Sequence, residues 1–320
     1  MYRNQFIVLL SALLLSAASG HRLTFAGLPH AEPHQVGMDG DCLASIDEVV
    51  AEGLQNKQMP GCVVAVGRRG KIVYLRAFGY RQVKPEKVPT TTDTVFDLAS
   101  LTKPIATATS VMKLVEEGRI RLHDRVATHI PEFEQNGKGN VRIIHLLTHQ
   151  AGLIPDNPLE DYLHGEKQAW EKIYALSLRA EPGTRFIYTD VGFLVLGELV
   201  RRITGADLNA YSQREIFQPL NMQETTFLPN QQLKKRSAVT EKRNDQWIRG
   251  DVHDPRAYHL GGVAGHAGLF STAEDLAVFA QMMLGEGTHQ GRRILAPRTV
   301  RTMTAPFVVS SGVRGLGWDK

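Results

Sequence analysis

The sequence predicts a mixed α/β fold of the α+β kind, with an antiparallel sheet flanked by helices. Residues 62–67 and 71–78 are rich in valine, isoleucine and aromatic residues and flank a turn that contains Gly70, as in a β-hairpin. Before the hairpin and over most of the chain after it, apolar residues recur at helical spacing. The chain has 320 residues and 42% hydrophobic content, so it can bury a large core as one domain or two interleaved ones.

The N-terminus has the pattern of a secretory signal peptide. Arg3 precedes the almost wholly apolar residues 6–15, and small residues follow at 16–20. The apolar run is short for a bilayer span, which favours cleavage, although an uncleaved anchor stays open. We expect a signal peptide at residues 1–20, a linker at 21–35 and a periplasmic or secreted protein with no integral membrane span after cleavage.

The first predicted helix, residues 43–54, precedes the hairpin. Export permits disulfides, and the sequence contains two cysteines, Cys42 at the start of this helix and Cys62 at the start of the first strand. Two interpretations stay open for them. They form a bridge, or both are small buried apolar residues.

A helix predicted from Ser100 to Gly118 carries the best candidate for a nucleophile. Its apolar residues recur at helical spacing, and Gly118 is suited to a left-handed C-terminal cap. Ser100 and Lys103 are three residues apart at its front, so they project to the same side and the amine can take the hydroxyl proton. Unpaired backbone N–H groups at a helix N-terminus favour a developing oxyanion.

Two other patterns in the sequence suggest chemistry but have simpler explanations. Ser110 begins a second Ser-x-x-Lys, but it lies in the helix interior, where the N–H groups are already bonded. His145 and His149 are four apart in a short predicted helix, 144–149, a spacing found in metal sites. The metalloprotease pattern has a glutamate after the first histidine, where Leu146 stands, and we therefore favour structural histidines bonded to nearby backbone.

The rest of the chain predicts further helices separated by polar or glycine-rich segments. A core helix at 193–200 is closed by Gly205, and the polar stretch from there to Gly250 is predicted as irregular apart from a short helix at about 208–217. A glycine-dense loop follows at 261–268. The last predicted helix is opened by a capping box at 271–274 and buries a stripe of Leu276, Phe279, Ala280 and Met283.

Composition and motifs exclude some function classes. The net charge of +4 is small for this length and provides no argument for nucleic-acid binding. No serine has glycines two residues to either side, so the nucleophile motif of the α/β-hydrolases is missing.

Four segments in order resemble the serine β-lactamase and penicillin-binding-protein superfamily, in its class C-like branch. They are 97–103 (DLASLTK), 146–152 (LLTHQAG), 188–190 (YTD) and 265–272 (GHAGLFST). The resemblance implies a single domain at 36–320, with an all-helical lobe at about 100–270 inserted between the first and last strands of one antiparallel sheet. The active site would lie in the cleft between the lobes.

The same resemblance implies roles for individual residues. Ser100 would be acylated, Lys103 would be its general base, and Tyr188 would share the proton network and pass a proton to the leaving group. The site would need no metal and no cofactor. The substrate would be a small molecule or a peptidoglycan fragment: a D-Ala peptide or other peptidoglycan-derived peptide, a β-lactam or a small ester. We expect its binding residues to be Asp190, His253, Asp254, His266 and Gly268.

This chain departs from the family pattern at two points. Asp190 stands where the family usually has an asparagine, which favours an esterase or peptidase over a β-lactamase, since an ionised aspartate cannot donate a hydrogen bond to a substrate carbonyl. Family members also continue past residues 315–318 (GLGW) into final strands that carry a third motif. We expect those strands to be missing from this chain, with His266-Ala-Gly268 as the other candidate for the motif. An inactive or non-catalytic binding protein is therefore the alternative function.

Overall fold

The computed structural model describes residues 27–320, so the predicted signal peptide and the first part of the linker lie outside the described residues. Helices and small antiparallel sheets confirm the predicted fold class. The α-helices are α1 Gly40–Gln55, α2 Thr109–Glu116, α3 Val126–His129, α4 Ile143–Leu147, α5 Glu166–Tyr174, α6 Asp190–Thr204, α7 Leu208–Ser212, α8 Gln231–Arg236, α9 Pro255–His259, α10 Ala273–Leu284 and α11 Pro297–Met303. The strands are β1 Gly61–Arg68, β2 Lys71–Gln82, β3 Val88–Pro89, β4 Phe96–Asp97, β5 Val239–Arg243, β6 Gln246–Arg249, β7 Phe270–Ser271, β8 Thr288–His289, β9 Arg292–Arg293, β10 Phe307–Val309 and β11 Gly312–Arg314.

The predicted hairpin is confirmed as the β1–β2 ribbon, residues 61–82. The two strands are antiparallel, Ala65 lies opposite Leu75, and the turn contains Gly70 at φ +74°. Strand β3 extends the sheet on the far side of β2, so the strand order is β1-β2-β3. Helix α1 contacts β2 and helix α10 contacts β1, which gives the ribbon its apolar cover.

Residues 99–268 form the helical body, which is built around α6. All residues from 191 to 200 of this helix are buried, and α2, α4 and α7 pack against it. The glycine-dense loop also lies directly on α6, because a Cβ on Gly265 would stand 1.9 Å from the carbonyl oxygen of Phe193. Strands β4 and β7 pair antiparallel and hold this loop next to the segment that contains Ser100. The close approach explains the glycine at position 265.

The nucleophile segment is helical as predicted, but it is not one α-helix. A 3-10 turn, Ala99–Leu101, leads into a π-helical stretch, Lys103–Ala108, and only then into α2. Gly118 follows the helix at φ +70°, as predicted. π-helical stretches are rare in proteins, and those that occur inside α-helices frequently lie at functional sites.

The N-cap of helix α10 lies one residue later than predicted. Ser271 belongs to β7, so Thr272 is the N-cap and its Oγ1 accepts a hydrogen bond from the Asp275 amide at 3.4 Å. The predicted buried stripe is partly wrong, because Val278, Phe279 and Met282 are the buried residues and Ala280 is exposed. An apolar stripe does not reveal which tertiary partner covers it, and two of its four predicted residues, Leu276 and Ala280, line a cavity beside β1.

The stretch from Gly205 to Gly250 is more regular than predicted. Besides α7 and the π-helical stretch Gln213–Phe217, it contains α8 and the β5–β6 hairpin. Asn244 and Asp245 form the turn of this hairpin, both at positive φ, and an Asn-Asp pair is a turn signal that sequence reasoning could have used.

The two cysteines are free thiols, so the bridge does not form. They are not both buried either, because Cys42 is exposed and Cys62 is only partly buried. In the described part of the chain, no helix is both long and apolar enough to cross a bilayer.

Candidate active site

Ser100 and Lys103 meet at the front of the nucleophile segment, as their spacing predicts. Lys103 Nζ donates a hydrogen bond to Ser100 Oγ at 2.9 Å, and the lysine side chain is only 2% exposed. The preceding turn is sharp, with Ala99 at φ +47° and its amide donating to Asp97 Oδ1 at 2.9 Å. This turn fixes the direction in which the serine hydroxyl projects.

The ammonium of Lys103 is surrounded by oxygen atoms. Nζ lies 2.6 Å from Asp190 Oδ1 and donates a hydrogen bond to the His266 carbonyl oxygen at 3.2 Å. The contact with Asp190 is an ion pair without hydrogen-bond geometry. The Tyr188 ring centroid lies 4.9 Å from Nζ, within the range of a cation–π interaction. The structure thus brings together five of the predicted site residues: Ser100, Lys103, Tyr188, Asp190 and His266.

His149 supports the Tyr188 ring, a role that sequence reasoning missed. The two rings stack with centroids 4.4 Å apart, and His149 Nδ1 accepts a hydrogen bond from the Thr189 amide at 3.1 Å. Burial, with the positive charges of Arg314 and Lys103, lowers the pKa of His149 to about 3. The ring is therefore neutral at physiological pH and can accept the amide hydrogen bond.

The structure agrees with the interpretation of the two histidines as structural. His145 Nδ1 also accepts a backbone hydrogen bond, from the Arg142 amide at 3.2 Å. Helix α4 ends at Leu147 and His149 adopts φ +58°, so the two histidines do not share one helical face. A spacing of four residues places two side chains on one face only within a continuous helix, so it does not indicate a metal site here.

The buried His266 and the partly buried Asp254 form a pair behind Lys103. His266 Nε2 lies 3.0 Å from Asp254 Oδ1, and Asp254 also caps α9 through the Ala257 amide at 2.7 Å. Burial opposes ionisation of Asp254, but the contacts with His266 and Ala257 hold its pKa down at about 2. Ligand atoms of Asp190, Asp254 and His266 lie within 4.8 Å of one another, a donor set that a cation could use. The Lys103 ammonium already neutralises its Asp190 member.

His253 and Gly268 also lie beside the site without lining the pocket at Ser100. His253 Nδ1 lies 3.0 Å from Asp97 Oδ2, and this hydrogen bond raises the pKa of His253. Gly268 adopts φ +108° and packs on the Gly262 carbonyl. None of the five residues predicted to bind substrate belongs to the lining of the pocket at Ser100, and their roles in binding stay predictions: Asp190, His253, Asp254, His266 and Gly268.

The serine opens into a pocket of about 510 Å³. Its lining combines the nucleophile segment with the C-terminal residues: Leu98, Ser100, Leu101, Lys103, Pro104, His149, Tyr188, Arg314, Gly317, Trp318 and Asp319. Gly317 allows this approach, since its amide donates to the Leu147 carbonyl at 2.8 Å and a Cβ would stand 2.7 Å from Ala108 Cβ. Sequence reasoning missed Arg314 and Trp318. A smaller cavity of about 280 Å³ beside Trp170 has no serine or cysteine in its lining.

Comparisons with known proteins identify relatives of this chain. The family model described as Beta-lactamase matches residues 46–319. An N-acetylmuramyl-L-alanine amidase from Bacillus subtilis (strain 168) is 30% identical over 87% of this chain and 70% of its own length. A Salmonella agona (strain SL483) protein, whose name proposes a D-alanyl-D-alanine carboxypeptidase, is 31% identical over 98% of this chain and 80% of its own length.

A solved structure has the same fold. The octameric penicillin-binding protein homologue from Pyrococcus abyssi superimposes with a TM-score of 0.72 at 23% identity. The match covers 86% of this chain but only 64% of that protein, so the chain spans less than two thirds of it.

Proposed function

Because the chain belongs to the beta-lactamase family, we propose that it is a serine hydrolase that forms an acyl-enzyme at Ser100. One observation carries the proposal. The buried Lys103 amine is 2.9 Å from the Ser100 hydroxyl, within reach for proton transfer, and both groups line a pocket large enough for a peptide fragment.

The reaction needs a route for the serine proton. Lys103 acts as the general base: its amine accepts the proton of Ser100, and the Asp190 carboxylate 2.6 Å away stabilises the ammonium that forms. Ser100 Oγ then bonds to the substrate acyl carbon, and the carbonyl π electrons move to its oxygen. When the tetrahedral intermediate collapses, the bond to the leaving group breaks and the leaving group takes a proton from the Lys103–Tyr188 network. Water repeats these steps on the acyl-enzyme and releases the acid.

The proposed substrate class is peptidoglycan-derived peptides, with D-Ala peptides, β-lactams and small esters as chemically related alternatives. Its support is the cell-wall chemistry in the names of two relatives, together with the pattern of a signal peptide in residues 1–20. Export to the periplasm or cell exterior would bring the enzyme to such substrates.

Labelling with a fluorophosphonate or a fluorescent penicillin, followed by intact-mass analysis, tests the proposal. We expect one acyl or phosphonyl group per chain, lost in Ser100→Ala. Ser110→Ala is the matched control, because Ser110 has the same Ser-x-x-Lys spacing but is fully buried and should leave labelling unchanged. Lys103→Ala should lower the acylation rate by about 10² to 10⁴, the usual contribution of a general base. A protein that takes up neither probe would favour the non-catalytic alternative, and label retained in Ser100→Ala would refute the assignment of the nucleophile.

A further inference from the structure

His253 and Asp254 are adjacent in the chain, but their side chains contact different partners. His253 Nδ1 lies 3.0 Å from Asp97 Oδ2, and Asp254 Oδ1 lies 3.0 Å from His266 Nε2. Neither residue belongs to the lining of the pocket at Ser100. Their partners Asp97 and His266, however, are both hydrogen-bonded to the nucleophile segment. Two adjacent residues of one loop are therefore linked to this segment by two separate routes.

The first route ends at the sharp turn before Ser100. The Asp97 side chain is 1% exposed, and its Oδ2 accepts hydrogen bonds from the amide and from Nδ1 of His253, at 2.9 and 3.0 Å. Nδ1 is a donor here, because an ionised carboxylate only accepts hydrogen bonds. Asp97 Oδ1 accepts from the Ala99 amide at 2.9 Å, and Ala99 adopts φ +47°, a conformation that surrounding contacts must hold. His253 thus fixes the carboxylate that holds the turn from which Ser100 projects.

The second route ends at the amine of Lys103. Among the described residues, its Nζ donates hydrogen bonds to Ser100 Oγ at 2.9 Å and to the His266 carbonyl oxygen at 3.2 Å. The contact with Asp190 is an ion pair without hydrogen-bond geometry, so the His266 carbonyl is the acceptor that directs the amine. His266 is buried, and the contact of its Nε2 with Asp254 holds the residue that carries this carbonyl.

The loop is anchored on both sides of His266 by bonds that do not involve its side chain. The Gly265 carbonyl accepts a hydrogen bond from Thr107 Oγ1 at 2.6 Å. The Leu269 amide donates a hydrogen bond to Thr102 Oγ1 at 3.1 Å. Loss of the side-chain contact of His266 should therefore leave the loop in place and change only the direction of the His266 carbonyl.

We propose that His253 and Asp254 are positioning residues, which together set the distance and direction at which the Lys103 amine meets the Ser100 hydroxyl. This inference rests on the proposed function, because the geometry affects the rate only if Lys103 takes the serine proton. A misplacement of about 1 Å at a reacting centre can cost about 10² in rate. Changes at either residue should therefore slow acylation whatever compound is attacked.

The rate of labelling by fluorophosphonates tests the inference. In this reaction Ser100 Oγ bonds to phosphorus, its proton passes to Lys103 and fluoride leaves. Two probes share this reactive centre and differ in the tail, one alkyl and one polyether. His253→Leu and Asp254→Ser should each lower the second-order rate constants of both probes by the same factor, about 10- to 100-fold. A residue that binds the tail would change the two rates unequally.

The variants separate positioning from folding. Asp254 caps α9 by accepting a hydrogen bond from the Ala257 amide at 2.7 Å, and Asp254→Ser can still cap the helix while its shorter side chain loses the contact with His266. His253→Asn keeps an N–H donor for Asp97 Oδ2, so it should label within about threefold of the wild-type rate. The rate constant, unlike the amount of label, does not depend on how much of a sample is folded.

His129→Leu is the matched control, because His129 Nε2 also lies near a carboxylate, Asp124 Oδ2 at 3.4 Å, but outside the pocket lining and the two routes. This variant should label at the wild-type rate. The inference is overturned if His253→Leu or Asp254→Ser labels as fast as the wild type, if the two probes slow unequally, or if His253→Asn is as slow as His253→Leu. Absence of label in the wild-type protein would instead refute the proposed function itself.

Discussion

The helical body that carries Ser100 and the β1–β2 ribbon differ in how completely they are buried. Residues 191–200 of α6 are all buried, whereas β1 contains no fully buried residue. Among the described residues β1 pairs only with β2, so its other edge has no partner strand. The Ser100–Lys103 pair is therefore held by the better-packed region, and the ribbon is the region whose stability depends on further cover.

The free edge of the ribbon also borders an apolar cavity of about 330 Å³ between β1 and α10. Leu276 and Leu284 of α10 and Ala65 of β1 belong to its lining, and Leu284 is 78% exposed. The resemblance to the family predicts further strands in this place, and that expectation stays a prediction. Exposed apolar surface beside an unpaired strand edge favours association with another chain.

The largest expected effect comes from truncating one leucine in each region. Leu196→Ala in α6 should lower the free energy of unfolding by about 2–5 kcal/mol, because the fully buried site cannot collapse around the cavity. Leu75→Ala in β2, where the leucine is only partly buried, should cost about 1 kcal/mol. Denaturant unfolding of both variants measures the difference. Equal costs would show that the ribbon is as tightly packed as the helical body.

A second prediction concerns acid sensitivity in the helical body. The pKa of His149 is about 3 in the folded chain and about 6.5 when unfolded, so below pH 6.5 the unfolded state takes up a proton that the folded state does not. The contribution of His149 to the free energy of unfolding is complete above pH 6.5. It falls by about 1.4 kcal/mol for each pH unit below that towards pH 3, so the loss at pH 5 is about 2 kcal/mol. His149→Asn tolerates the positive φ and does not titrate, so its stability should fall less between pH 7 and 5. An unchanged pH slope in the variant would contradict the assignment.

The smallest expected effect is at the surface beside the ribbon. Leu284→Lys should change stability by less than about 0.5 kcal/mol, because this side chain is mostly exposed. It should nevertheless reduce self-association in sedimentation experiments, since it places a charge on the apolar cavity next to β1. Val49→Lys in α1 is the control, as Val49 is also exposed but lies outside this cavity lining. An equal effect of the two variants would show that the cavity has no special role.

Local sequence patterns predicted the hairpin, the first helix, the core helix α6 and the Ser100–Lys103 pair. Each of these depends on residues close together in the chain, such as a turn glycine or two side chains three residues apart on one helical face. The patterns were less accurate where a partner decides the outcome. The cap of α10 shifted from Ser271 to Thr272 because β7 pairs with β4.

The sequence by itself determined the fold class, the pairing of Ser100 with Lys103 and the family to which the chain belongs, because these are encoded by short segments in a set order. Only the tertiary structure decided which residues surround Ser100. It paired Lys103 with Asp190 across the helical body, placed His149 under Tyr188, turned His266 and Asp254 towards each other and brought Arg314 from the far end of the chain into the pocket. Three of these contacts join residues 39 to more than 200 positions apart in the chain, and the His266–Asp254 contact joins residues 12 positions apart across a loop. Local periodicity carries no information about such contacts.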